Sequence, residues 1–260
     1  MDLFDTNTTF ERQLFAKAAR NRIPLYGVLE LLPLCNLNCD MCYVHLSKQE
    51  MQSQGRLRSL DEWISLAKQM KDAGTLFLLL TGGEPLLFPQ FKELYCALKD
   101  MGMILTLNTN GTLINEEWAE FFTKNKPRRI NITLYGSKNE TYENLCHMKD
   151  GFDKTIRGIE LLKKYKIDVK INGSLVKKNF HDRMEIIDIG EKYDIPVRID
   201  TYMYPSVRER TTPFNFQERL DPEDAAKARV EILHREMGDE LFEQYAKQTI
   251  YLAEHTEEGD

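Results

Sequence analysis

Short aliphatic runs alternate with amphipathic stretches along most of this chain, and no other feature constrains its fold as tightly. The runs fall at 25–31, 76–80, 103–108, 129–134, 167–172 and 197–201. Between them, apolar residues recur at helical spacing: Leu60, Trp63, Ile64, Ala67 and Met70; Phe91, Leu94, Tyr95 and Leu98; Ile156, Ile159, Leu162 and Tyr165; Met184, Ile187 and Tyr193. Strand–helix alternation implies an α/β protein whose parallel strands are joined by right-handed crossovers. The run Leu76-Phe77-Leu78-Leu79-Leu80 is continuously apolar, as a strand buried on both faces would be. Six such units fall short of an eight-unit barrel. A doubly wound sheet and an incomplete barrel both remain open, and in either the chemistry gathers at the C-terminal ends of the strands.

Segments on either side read differently. Residues 1–23 suggest an N-terminal helical segment, 24–217 the α/β core and 218–260 a C-terminal helical link. In the link, Asp221-Pro222 is a helix start, Gly238-Asp239 a break, and a second helix is expected to about Leu252. The net charge of −6 is concentrated there, with 13 acids and 5 bases in 218–260. No polybasic block argues for nucleic acid or an anionic membrane. The first 20 residues carry no apolar signal-type run, and no apolar stretch is long enough to span a bilayer. A cytoplasmic protein is the expectation, and an odd cysteine count of five excludes a fully paired disulfide framework.

Three of those cysteines fall within eight positions, in Leu34-Cys35-Asn36-Leu37-Asn38-Cys39-Asp40-Met41-Cys42-Tyr43. Three thiolates converging on one metal centre explain that spacing. Iron–sulfur cubanes use cysteine thiolates and usually four of them, so three would leave one iron open for chemistry. A Cys₃His zinc site with His45 as fourth ligand is the competing reading.

The CxxxCxxC loop after the first strand resembles the signature of the radical S-adenosylmethionine (radical SAM) superfamily. Thr81-Gly82-Gly83-Glu84-Pro85 resembles that family's Gly-Gly-Glu-Pro motif. Asn108-Thr109-Asn110-Gly111-Thr112 and Ile132-Thr133-Leu134-Tyr135-Gly136 match its third and fourth strand ends in order and placement. The resemblance covers about residues 24–205 and implies an incomplete parallel (β/α)6 barrel. It implies that Cys35, Cys39 and Cys42 hold a 4Fe–4S cluster whose open iron chelates S-adenosylmethionine (SAM), giving a 5′-deoxyadenosyl radical on reduction. Gly82 and Gly83 would let backbone approach the SAM amine, and Glu84 would accept from its ammonium. Thr133 and Asn108 would reach the carboxylate or ribose, with Asn110, Asn172 and Ser174 as weaker candidates. The backbone at Met41 would meet adenine. Two departures stand out: Tyr135 replaces the usual aspartate, and no arginine for the SAM carboxylate is evident near Cys146, His147 or Lys149.

The stretch 136–179 further resembles enzymes that modify ribosomally made peptides or mature proteins, including the anaerobic sulfatase-maturing type. A peptide or protein substrate is therefore expected, with an electron donor such as flavodoxin or ferredoxin. Such enzymes usually carry a C-terminal cysteine-rich (SPASM) extension. After Cys146 there are no further cysteines, so the expectation is a chain cut before it. A small metabolite or cofactor precursor is the alternative substrate, and a non-catalytic zinc or iron–sulfur protein the alternative function. Cys96 is expected in the core and Cys146 in a passive position. Asp200, Tyr202 and Tyr204 follow the last strand, where ligands are met, while His181 and His234 are expected at the surface.

Overall fold

The computed structural model describes residues 9–203 and 218–255. Six strands make one sheet: β1 (Tyr26–Glu30), β2 (Phe77–Thr81), β3 (Ile104–Thr109), β4 (Arg129–Thr133), β5 (Val169–Ser174) and β6 (Val197–Asp200). All neighbours are parallel, and their spatial order is their chain order. That order decides between the two architectures. A doubly wound sheet reverses at a switch point, and this one does not. With β1 and β6 at opposite edges, the sheet is an incomplete barrel.

Ten helices are described: α1 (Thr9–Arg20), α2 (Lys48–Gln54), α3 (Leu60–Asp72), α4 (Phe91–Asp100), α5 (Glu116–Lys124), α6 (Asn139–Cys146), α7 (Gly151–Lys164), α8 (Arg183–Tyr193), α9 (Pro222–Met237) and α10 (Asp239–His255). Capping boxes start α2 at Ser47 and α3 at Ser59, each closed by a glutamate three residues on. Gly238 ends α9 with a positive φ of 73°, where the chain turns into α10. No described helix is long and apolar enough to cross a membrane.

Register sorts the strand residues into two faces. Leu78, Leu80, Leu105, Leu107, Ile130, Ile132, Val169, Ile171 and Ile199 are buried under the helices. The other face carries Thr81, Asn108, Asn131, Thr133, Asn172, Ser174 and Asp200, and it is polar and more open. The expected two-sided burial of 76–80 therefore holds only in part, because Leu79 sits half-buried on this second face. Phe77 is buried there because α1 lies over it: Phe15 stacks on its ring at 5.3 Å, and Arg128 covers it while pairing with Glu11 at 3.0 Å. Outside the sheet, Phe91, Tyr95, Trp118, Phe121 and Phe122 pack ring against ring between α4 and α5.

Two expectations need correcting. Cys96 is half-buried on α4, its thiol 3.8 Å from the Asn125 side-chain oxygen, and it is not a core residue. Helical spacing carried the expectation, but the position lies beside the apolar stripe of Phe91, Leu94, Tyr95 and Leu98. Tyr204 lies outside the described residues.

Candidate functional site

The site begins where β1 and β2 end, because their pairing does not stop there. Leu31 N donates to Thr81 O (2.8 Å), Gly83 N to Leu32 O (2.7 Å) and Glu84 N to Leu34 O (2.9 Å). The backbone approach is so close that side chains are excluded. A Cβ on Gly83 would lie 2.2 Å from Leu34 O, and one on Gly82 would lie 2.7 Å from Leu32 O. The Gly-Gly pair thus seats the root of the cysteine loop against β2.

The far side of the loop is held equally by backbone. Asn38 N donates to Cys146 O (3.1 Å) and Asp40 N to Leu145 O (3.0 Å), both at the C-terminal end of α6. There the exposed helix carbonyls have no intrahelical partner. Asp40 adds an ion-pair latch, its carboxylate bonded to His147 Nε2 at 2.7 Å and Lys178 Nζ at 2.5 Å. Lys178 also reaches Glu218 at 3.5 Å, tying in the start of the C-terminal link. His147 is thereby engaged outside the cleft, and Lys149 pairs with Glu143 at the surface.

Held this way, the loop presents Cys35, Cys39 and Cys42 to one cleft of about 360 Å³. Met41 and Tyr43 line it beside them. Gly82 and Gly83 line it from β2, Asn108 from β3, Thr133 from β4, Asn172 and Ser174 from β5, and Asp200 from β6. Asn108 is braced by the Asn131 amide, which donates to its oxygen at 2.8 Å. The Met41 side chain is buried in the core at the cleft wall.

Glu84 is placed otherwise than expected. Its carboxylate is fully buried beneath the cleft and is not among the lining groups. It accepts from Thr109 Oγ1 (2.8 and 2.9 Å), Asn110 N (2.9 Å) and Leu86 N (3.1 Å). Buried and bonded to three donors of the frame, it joins the ends of β2 and β3 and does not face the cleft. Burial pushes its carboxyl up to about 7 against these donors.

Asn110 lines the cleft as well, and its side chain is already bonded within the protein. Its oxygen accepts from Thr112 N (3.0 Å) and Thr112 Oγ1 (2.6 Å). Its amide nitrogen donates to Asn36 Oδ1 (2.9 Å) and Cys35 Sγ (3.7 Å). Cys35 accepts a second N–H from Leu37 (3.4 Å), and Cys42 accepts one from His45 (3.2 Å).

Two residues that the sequence left in the background surround Cys39. Cys146, fully buried, hydrogen-bonds its thiol and with burial drives it well up; the Tyr135 hydroxyl, also bonded to it, opposes this. Tyr135 lines the cleft, and its own hydroxyl is pushed up by burial and by all four neighbouring sulfurs. Its position in the motif where an aspartate is usual was the one signal available. For Cys35, burial raises the thiol to about 12, with Glu84, Cys39 and Cys42 adding to it. The raised Cys35 and Cys39 thiols are therefore protonated at neutral pH in the metal-free loop, and loading must release their protons.

The donor set suits an iron–sulfur cluster. All three cysteines line one cleft, and the sulfurs of Cys35 and Cys42 already receive backbone N–H groups, which would stabilise thiolates bound to iron. Among the described residues no three His, Cys, Asp or Glu side chains gather tightly round one point. A tetrahedral zinc ion would bring its sulfur ligands to about 3.8 Å from one another, whereas the thiolates of a cubane bind separate irons. The Cys₃His arrangement through His45 is not preassembled.

Comparison with known proteins agrees with this geometry. Residues 29–190 match the radical SAM superfamily. The chain is 30% identical over 174 residues to an AdoMet-dependent heme synthase of Methanosarcina barkeri, covering 67% of this chain and 49% of that protein. It is 34% identical over 152 residues to a cysteine-type anaerobic sulfatase-maturating enzyme of Clostridium perfringens, covering 53% and 40%. The chain thus spans about half or less of these relatives' length. Streptococcus suis SuiB, solved with S-adenosylmethionine, superposes with a TM-score of 0.67 at 20% identity, over 86% of this chain and 51% of that one. SuiB has also been solved with its precursor peptide SuiA. A family match spanning most of the chain, and a cysteine loop set beside a Gly-Gly turn at the open end of a six-stranded partial barrel, together establish that this chain belongs to the radical SAM superfamily.

Proposed function

We propose that the protein is a radical SAM enzyme that modifies a peptide or protein substrate. The observation that carries this reading is the shared cleft: three loop cysteines and the polar ends of five strands face one opening. Cys35, Cys39 and Cys42 would hold a 4Fe–4S cluster, and Gly82, Gly83, Thr133, Asn108 and the Met41 backbone would hold S-adenosylmethionine. When bound there, the cluster and S-adenosylmethionine would supply the radical hydrogen-abstraction chemistry of the family. The chain's own residues keep the thiols in place, exclude water under Met41 and present a polar trough to the substrate. Glu84 is assigned to the frame and not to the SAM amine.

A peptide suits the trough because Asn172, Ser174 and Asp200 offer hydrogen-bonding groups along it. Likeness to SuiB and to the sulfatase-maturating enzyme supports the same class. A reduced flavodoxin or ferredoxin in the cytoplasm would supply the electron. The second reading, a small tetrapyrrole-like substrate, draws on the likeness to the heme synthase.

The test is anaerobic reconstitution, reduction and incubation with SAM. 5′-Deoxyadenosine above a Cys35→Ala control is expected, and its absence would reject the enzyme reading. A mass change in a co-encoded peptide, but not in iron coproporphyrin, would separate the two substrate classes.

A further inference from the structure

The geometry points to Asn110 as a positioning residue for the iron centre: its side-chain amide donates to the Cys35 sulfur and thereby sets the reduction potential of the cluster. This rests on the reading that Cys35 is a cluster ligand. Asn110 is 4% exposed and follows β3, 75 residues from Cys35 in the chain.

The amide has no freedom to point elsewhere. Thr112 fixes its oxygen twice, at 3.0 and 2.6 Å, so its nitrogen must face the cysteine loop. There it forks between Asn36 Oδ1 at 2.9 Å and Cys35 Sγ at 3.7 Å. Asn36 is itself fixed, because its own amide donates to Thr112 Oγ1 at 2.8 Å. Below, the Glu84 carboxylate holds the Asn110 backbone N–H at 2.9 Å, and Thr155 Oγ1 donates to the Asn110 carbonyl at 3.2 Å. An amide pinned at its oxygen, its backbone N–H and its carbonyl is a preorganised donor.

The chemistry follows from charge. Reduction adds an electron to the cluster and its thiolates, and an N–H aimed at one of those sulfurs stabilises the added charge. Hydrogen bonds to sulfur therefore raise the potential of such clusters. Cys42 is supplied by the His45 backbone and Cys35 by the Leu37 backbone, donors that no substitution short of proline removes. The Asn110 donor to Cys35 is a side chain and can be removed, so, like the Tyr135 hydroxyl on Cys39, it is a place where sequence can adjust this centre.

The test is an EPR-monitored redox titration of anaerobically reconstituted protein. Asn110→Ala and the near-isosteric Asn110→Leu both lose the donor without adding charge. Both are expected to move the midpoint to more negative potential, with iron and sulfide per chain unchanged. Thr112→Val keeps the donor and is expected to shift it less. A midpoint unchanged in both Asn110 variants overturns the proposal. Loss of iron from both overturns it too, because Asn110 would then be scaffold and not donor. A wild-type chain that takes up no cluster would sink the functional reading itself, whereas a wild-type cluster indifferent to Asn110 sinks this proposal alone.

Discussion

Gly83 lies against Leu34 so closely that a Cβ built on it would sit 2.2 Å from the Leu34 oxygen and 2.6 Å from its carbonyl carbon. The obstacle is backbone, which cannot swing aside as a side chain can. Gly83→Ala is therefore expected to push the root of the cysteine loop off β2. Overpacking of this kind costs about 1–3 kcal/mol, and iron uptake should fall with it. Urea unfolding of the metal-free protein and iron per chain after reconstitution check the two effects.

Removing any one of Cys35, Cys39 or Cys42 as Ala should reduce iron to background and abolish 5′-deoxyadenosine formation. Cys96→Ala should alter neither, because Cys96 lies on α4 outside the cleft. Iron analysis and chromatography of the nucleoside product decide the matter.

Glu84 predicts a pH dependence of the metal-free protein. Burial raises its carboxyl from 4.5 to about 7, so the folded state holds the proton more tightly than the unfolded chain. The corresponding stability is complete below 4.5 and is lost as pH climbs through about 7. At 1.36 kcal/mol per unit it amounts to roughly 3 kcal/mol. Glu84→Gln removes this titration, so the stability difference between wild type and variant should slope across pH 4.5–7. A flat difference in urea unfolding would show the carboxyl ionised throughout.

Asp40→Asn opens the latch to His147 and Lys178. Both partners are partly solvated, so the cost should stay near 1 kcal/mol or below. Iron release to a chelator should quicken by up to about fivefold, the equivalent of 1 kcal/mol. No change in release would assign the loop's hold to its backbone bonds alone.

Phe122 is fully buried among Tyr95, Trp118 and Phe121. Phe122→Ala should cost about 3–5 kcal/mol in unfolding free energy. The cleft lies on the other face of the sheet, so SAM binding at low temperature should be little changed in the folded fraction.

All six strands were legible from aliphatic runs, because each buries Leu, Ile or Val on one face, a pattern that is local. Helices α5 and α6 did not stand out. The apolar residues of α5 are crowded into Trp118, Phe121 and Phe122, and α6 presents only eight residues of mixed character. Strand order was beyond periodicity, and only the motifs pointed to a partial barrel. Within the site, the cysteine spacing marked the loop and the motif order marked the strand ends. The roles of Glu84 and Asn110 could not be read, because they depend on contacts across 26 and 75 positions of chain. A motif names a residue without saying whether it faces the ligand or the scaffold behind it.

The cysteine segment is fastened at its root to β2 and at its far side to α6 chiefly by main-chain amides and carbonyls, with the Asp40 latch added at the far side. Apart from the two glycines that the close approach demands, such attachments do not depend on which side chains surround them. Mutational drift can therefore rewrite both neighbouring elements and leave the mooring intact, which is how four residues in five can differ from SuiB while the architecture persists.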